Sequence, residues 1–129
     1  MANNFNEFKT ALRAVILAST TVSSLIDTRF FGQDIASLNV PFPMATFTSA
    51  PGTEQLVLQS FDISIKSYSE NHFDESHDVF DAIKEELRCV NLIPNVLIHS
   101  KSTPTEMYDE IGRLYTVTGK FHVDRILSR

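Results

Sequence analysis

Four histidines and one cysteine are the residues of this 129-residue chain best suited to acid–base or nucleophilic work. His72 and His77 stand five apart, on different faces of a helix, so they cannot share a metal as an i, i+4 pair does. His77 flanks an apolar stripe beside Phe73 and Phe80, the usual setting of a satisfied boundary histidine. His99 and His122 fall on strands that could pair, and with Asp124 or Asp109 nearby they could form a site if folding supplies the geometry of proton transfer. Cys89 closes a helix and precedes Val90, surroundings that suit a small buried hydrophobe better than an activated thiol. Serines are plentiful, yet there is no G-x-S-x-G elbow, and no G-x-x-x-x-G-K-[ST] or G-x-G-x-x-G loop. The sequence therefore assigns no catalytic residue, no cofactor and no metal.

Carboxylates are the other chemistry-bearing group. Residues 70–86 hold seven acids (Glu70, Asp74, Glu75, Asp78, Asp81, Glu85, Glu86) and one base, Lys84, so this segment carries −6 while the rest of the chain sums to +1 against a total of −5. On a helix Asp74, Asp78, Asp81 and Glu85 lie within about 60° of one another, opposite Phe73, Phe80 and Leu87. Like charges four apart cost roughly 0.2–0.5 kcal/mol per pair. The plain reading is a solvated helix face. The functional reading is a surface that repels polyanions, or one that docks a basic partner patch. Carboxylates spread along a helix do not converge on a cation as a calcium loop does.

The elements that must position these groups follow from periodicity. Residues 5–18 read as an amphipathic helix with Phe5, Phe8, Leu12, Val15 and Ile16 in one stripe and Asn3 or Asn4 as the cap. Leu17 falls off that stripe, which suits either a helix end under a loop or contact with a partner subunit. A short helical turn through Val22, Leu25 and Ile26 follows. Thr28 to Phe31 is a short strand ending at Gly32, Gln33 to Val40 is loop, and Pro41-Phe42-Pro43 forces extended backbone into a strand from Met44 to Thr48. Ser49-Ala50-Pro51-Gly52 is a turn. Glu54 to Tyr68 is the longest strand, with Phe61, Ile63 and Ile65 on one face. Leu56 and Leu58 carry the opposite phase, which calls for a bulge near Gln59-Ser60 or for a cover, such as another subunit, on the other face.

Asn71 to Arg88 is a second helix, with Asn71 and Asp74 spaced as a capping box. Val96 to Lys101 and Arg113 to Val123 are strands. Asp109-Glu110-Ile111-Gly112 suits a hairpin loop in which glycine supplies the positive φ. Phe30, Phe31, Phe42 and Phe47 crowd the irregular 29–48 stretch, as core or as subunit contacts. The order predicts one α+β domain over 1–129, an antiparallel β-sheet packed by two amphipathic helices.

Composition bounds the rest. With 43% hydrophobic and 21% charged residues the chain is an ordinary globular domain. A single cysteine excludes an intrachain disulfide and suits a reducing compartment. The net charge of −5 argues against a generic nucleic-acid binder. The apolar run Ala14–Ala18 is five residues long, short of the about 20 that a membrane span needs, so no membrane association and no secretion are expected.

One family resemblance adds to this. FKTALRAVILASTTVSSLIDTRFF resembles the first helix, short second turn and following strand of the tail-completion, tail-terminator or neck-ring proteins of long-tailed bacteriophages. Pro43-Met44-Ala45-Thr46-Phe47 is similar to that family's proline-led strand, FDISIKSYSENHFDESHDVFDAIKEEL to its long strand, turn and second helix, and GRLYTVTGKFHV to its closing strand. The resemblance implies a ring-forming structural subunit, commonly hexameric, without enzymatic activity or cofactor. It would assemble in the host cytoplasm into the virion's tail or neck. Its partners would be copies of itself, the tail tube protein and the head-tail connector or head-completion protein, with DNA passing through unbound. A head-closure, adaptor or tail-tube subunit, or an unrelated α+β binding domain, are the alternatives. On this reading Asp74, Asp78, Asp81 and Glu85 face a lumen or a partner, and Leu17, Phe42, Phe47, Leu56 and Leu58 supply subunit contacts.

Overall fold

The computed structural model describes residues 5–32, 41–49, 52–54, 58–88, 96–101 and 103–126. Cys89, Leu56, the Gln33–Val40 loop, the asparagines before the first helix and the middle of the 49–52 turn lie outside them. Helix α1 spans Phe5–Ala18 and α2 spans Thr20–Ile26, with Ser19 between them as N-cap, its hydroxyl accepting from Val22 N–H. Strands β1 (Phe30–Phe31), β2 (Met44–Ser49), β3 (Thr53–Glu54) and β4 (Leu58–Ser69) precede helix α3 (Phe73–Arg88). Strands β5 (Val96–Ser100), β6 (Thr105–Asp109) and β7 (Leu114–Ile126) follow it.

Two long strands form the spine of one sheet. β4 and β7 pair antiparallel in unbroken register from Leu58↔Ile126 to Ser69↔Tyr115. Each outer side of this pair carries two short strands set end to end. β2 lies along Ile63–Tyr68 and β3 along Gln59–Ser60 of β4, while β6 lies along Leu114–Thr118 and β5 along Phe121–Arg125 of β7. β1 extends the β2 edge in parallel, the one parallel pairing among the described strands.

All helices lie on the face that bears Phe61, Ile63 and Ile65 of β4 and Val117, Phe121 and Val123 of β7, and these residues form the core with Phe8, Leu12, Ile16, Val22, Ile26, Val79, Phe80 and Ile83. Phe8 meets Phe61 edge-on at 5.3 Å. Gly119 faces the same layer because the Phe80 ring occupies the space where a Cβ would sit, 2.3 Å from it. Arg13 reaches from α1 to donate to the carbonyls of Phe30 (2.8 Å) and Thr28 (3.0 Å), which ties the edge strand to the helix layer.

The architecture is the α+β class expected, with a third helix where a single helical turn was read. Four local expectations change. The stretch from Glu54 to Tyr68 is two strands: Thr53 and Glu54 pair back onto Ser60 and Gln59, and the β4 ladder runs without a bulge, so Leu58 takes its place on the face away from Phe61, Ile63 and Ile65. β7, with 13 residues, is the longer of the two central strands.

The third change is at the start of α3, which begins at Phe73 with His72 as its cap. The His72 Nδ1 accepts from Glu75 N–H at 3.0 Å, Ser69 Oγ accepts from the amides of Asn71 (3.0 Å) and His72 (3.4 Å), and the Glu75 carboxylate accepts from Ser69 and from the Asn71 amide. The cap thus sits one residue later than expected, and the reciprocal bond of a capping box is replaced: Glu75 reaches back to Ser69 and the Asn71 side chain, and Ser69 takes the His72 N–H. Lastly, Arg113 (φ 55°), not Gly112, takes the positive φ in the β6–β7 hairpin. A Cβ at Gly112 would lie 2.9 Å from the end of the exposed Asp109 side chain, whose other carboxylate oxygen accepts from Ile111 N–H, so a small shift of that side chain would accommodate it.

Candidate functional site

Strand alternation leaves β4's even-numbered residues, and their partners on β7 and β5, on the face away from the helices. There His99 stands directly opposite His122, their rings 5.3 Å apart, as pairing of the two strands implies. The center of this face is a chain of polar contacts. His122 Nδ1 meets Asp62 Oδ1 at 2.9 Å and His122 Nε2 meets Asp124 Oδ1 at 3.1 Å. Lys101 Nζ donates to the other oxygen of Asp62, at 2.5 Å, and Ser60 Oγ donates to Asp124, at 2.5 Å.

This arrangement sets the protonation of its members. The hydrogen bond to Asp62, with the Asp124 charge, holds His122 above the ordinary 6.5 of an imidazole against the opposing effect of burial. Lys101 first, then His122, hold Asp62 below the usual carboxylate value, and Ser60 together with His122 does the same for Asp124. Carboxylates at both nitrogens favour the imidazolium, the form in which neither ring nitrogen has a lone pair to offer. Ser60 gives its proton to a carboxylate and not to a ring nitrogen, so it lacks the activating base a nucleophile needs. The cluster is an electrostatic knot that ties β4, β5 and β7 together. Sequence reading found His99, His122 and Asp124; it missed Asp62, Lys101 and Ser60, whose only signal was their place on the polar phase of strands. Asp109 is spent on the hairpin turn.

The other two histidines are structural. His72 caps α3, and His77, half-buried, bonds Glu106 at 2.7 Å and so links the helix to β6. An open pocket of about 410 Å³ beside β5 is lined, among the described residues, by Lys84, Leu87, Ile98, His99, Ser100 and Phe121, none of them a carboxylate. Among the described residues no three His, Cys, Asp or Glu side chains converge as a metal site requires.

The acidic stripe is where the helix wheel puts it. Asp74, Asp78, Asp81 and Glu85 are all exposed, on the side of α3 away from buried Val79, Phe80, Ile83 and Leu87. The suggested contact residues fare differently. Phe47 is 3% exposed and stacks on Phe30 at 5.0 Å, so its surface is consumed by the subunit's own core. Leu17 is half-buried against that core, Phe42 is half-buried, and Leu58 is half-buried opposite Ile126. The large apolar side chains that remain exposed were not singled out from the sequence. Met107 (69%), Tyr108 and Ile111 (97%) stand on the β6–β7 hairpin, and Leu97 and Ile126 on the open face.

Across the whole chain the three-helix layer on a two-strand spine has a counterpart among solved structures. It folds like a chain of a virion. That chain belongs to the virion of a native gene transfer agent particle, and the two superpose with a TM-score of 0.67 over 93% of this chain and 94% of that one, at 11% sequence identity. Identity this low establishes likeness of fold. No protein family and no curated protein matches the sequence.

Proposed function

We propose that this chain is a structural virion protein that forms a ring, commonly hexameric, at the head-proximal end of a phage tail. There it closes the tail tube and joins it to the head connector while DNA passes through. The observation that carries this reading is the likeness of fold to a virion chain over nearly the full length of both. The engagement of both His122 nitrogens by carboxylates fits a structural role for that side chain. The hairpin that displays Met107 and Ile111 to solvent supports assembly, since exposed large apolar groups gathered on one projection are what subunit contacts bury. A head-closure, adaptor or tail-tube subunit of the same neck region is the neighbouring alternative, with the same fold and the same kind of contacts.

Native mass spectrometry and negative-stain imaging of the purified chain test the ring. A closed oligomer is expected, and replacing Met107 and Ile111 by aspartate should leave a folded subunit that assembles at least tenfold less well. Particles whose tails join heads normally without this polypeptide would overturn the reading. Tube assembly by the isolated chain, in place of a ring, would transfer the assignment to the tail-tube alternative.

A further inference from the structure

The two broad faces of the subunit carry opposite charge. On the helix side, Asp74, Asp78 and Asp81 are exposed and, among the described residues, enter no ion pair. On the open side of the sheet Lys66, Lys101 and Lys120 are exposed, and Lys66 and Lys120 likewise enter no ion pair. Strand register groups these three lysines. Lys120 stands opposite Ser64 and beside Lys101, whose amide bonds the Lys120 carbonyl at 2.9 Å, and Lys66 lies two residues further along β4. The carboxylates on this face, Asp62 and Asp124, are already held by Lys101, Ser60 and His122.

We infer that the open sheet face is the docking surface for the acidic face of α3 from a second copy of this chain. The inference rests on the ring reading and names its interface. Opposite faces of one slab make a head-to-tail contact, the heterologous kind that closes a ring. The lysine row fits within the length of the stripe. The acidic stripe runs about 16 Å along the helix at about 1.5 Å per residue, and three lysines on neighbouring strands span about 10 Å at a strand spacing of about 4.8 Å. Each like-charge pair along the stripe is unfavourable in the lone subunit, and an opposed row of lysines relieves it. A nucleic-acid phosphate backbone is the competing occupant for the lysines. The carboxylates set among them, and the chain's net charge of −5, favour the protein partner.

A charge-swap experiment tests this. Lys66→Glu/Lys120→Glu makes both faces acidic, and Asp78→Lys/Asp81→Lys cancels the net charge of the stripe and sets two lysines at its middle, between Asp74 and Glu85. All four side chains are exposed, so thermal unfolding of each variant should match the native chain and separate folding from assembly. Each variant alone should lose the closed oligomer in native mass spectrometry at about 50–150 mM salt, a range in which surface charges are only partly screened. Mixing the two should restore it, with equal numbers of both chains, because the introduced glutamates then face the introduced lysines and the native lysines face the native stripe. Retention of the oligomer by either variant alone, or failure of the mixture to recover it, would overturn the inference and leave the ring reading standing. A Lys66→Glu/Lys120→Glu chain that keeps its oligomer but loses affinity for duplex DNA would reassign the face to nucleic acid. A native chain that never forms an oligomer would overturn the ring reading and this inference together.

Discussion

His122 is clamped by two carboxylates, and its charge is worth something to folding only while all three are ionised. Because its folded pKa lies above 6.5, the stabilisation it brings is fully present below that pH and is lost as pH rises through the raised value. Asp62 and Asp124 are lowered from 3.8, so their contribution is present above that pH and is lost as pH falls through the depressed values. The knot is therefore strongest between roughly pH 4 and 6.5. An NMR titration of the imidazole should give a midpoint above 6.5, and Asp62→Asn should move it downward; a native midpoint at or below 6.5 would contradict the clamp. Gly119 makes a second point at this scale. Gly119→Ala drives a methyl into the buried Phe80 ring and should cost about 1–3 kcal/mol in urea unfolding, with the ring forced from its place over the sheet.

The elements are joined by polar contacts as well as by the core. Ser67 of β4 and Ser76 of α3, both fully buried, exchange hydrogen bonds: Ser67 Oγ donates to the Ser76 carbonyl at 2.7 Å, and Ser76 Oγ to the Ser67 carbonyl at 2.8 Å. This reciprocal pair pins the first turns of the helix to the sheet. Ser76→Ala should destabilise by about 1–3 kcal/mol, and the Ser67→Ala/Ser76→Ala double variant by less than the sum of the two, measured by denaturant unfolding. Helix α1 was legible to the residue because five apolar side chains repeat at helical spacing and Ser19 breaks the run. The odd-numbered faces of β4 and β7 were legible for the same reason at a spacing of two. The pairing of Thr53 and Glu54 back onto β4 was not, since a run of strand-forming residues looks identical whether it continues or turns back, and only the partner strand decides. Nor was the serine pair legible, because two serines nine residues apart carry no signal until a strand and a helix face each other.

At the scale of the whole subunit, fold class could be read from element order, while the surfaces offered to neighbours could not. Phe47 illustrates why: an aromatic beside a proline-rich stretch suits a contact or a core, and the Phe30 ring claims it for the core. Phe47→Ala should accordingly cost about 3–5 kcal/mol of subunit stability, seen as a lowered midpoint in thermal or urea unfolding at concentrations where no oligomer forms. A loss confined to assembly, with the monomer's stability intact, would return this residue to the interface. The knot of histidine and aspartates was only half legible for a related reason. Its histidines stood out by type, but Asp62 lies 60 residues from His122 in sequence and meets it only through the central ladder.

That ladder has a consequence for when the subunit can exist at all. Its nearest rungs, Ser69 and Tyr115, are 46 positions apart, and its farthest, Leu58 and Ile126, are 68 apart. One edge of a newly made β4 must therefore stay unpaired until α3 and the following 25 residues have left the ribosome and β7 begins to emerge. Contacts so distant along the chain place folding toward the slow end of the range for small domains. During that interval the unsatisfied strand is open to pairing with other nascent chains, so the yield of native subunits should depend on how fast, and how crowded, synthesis is.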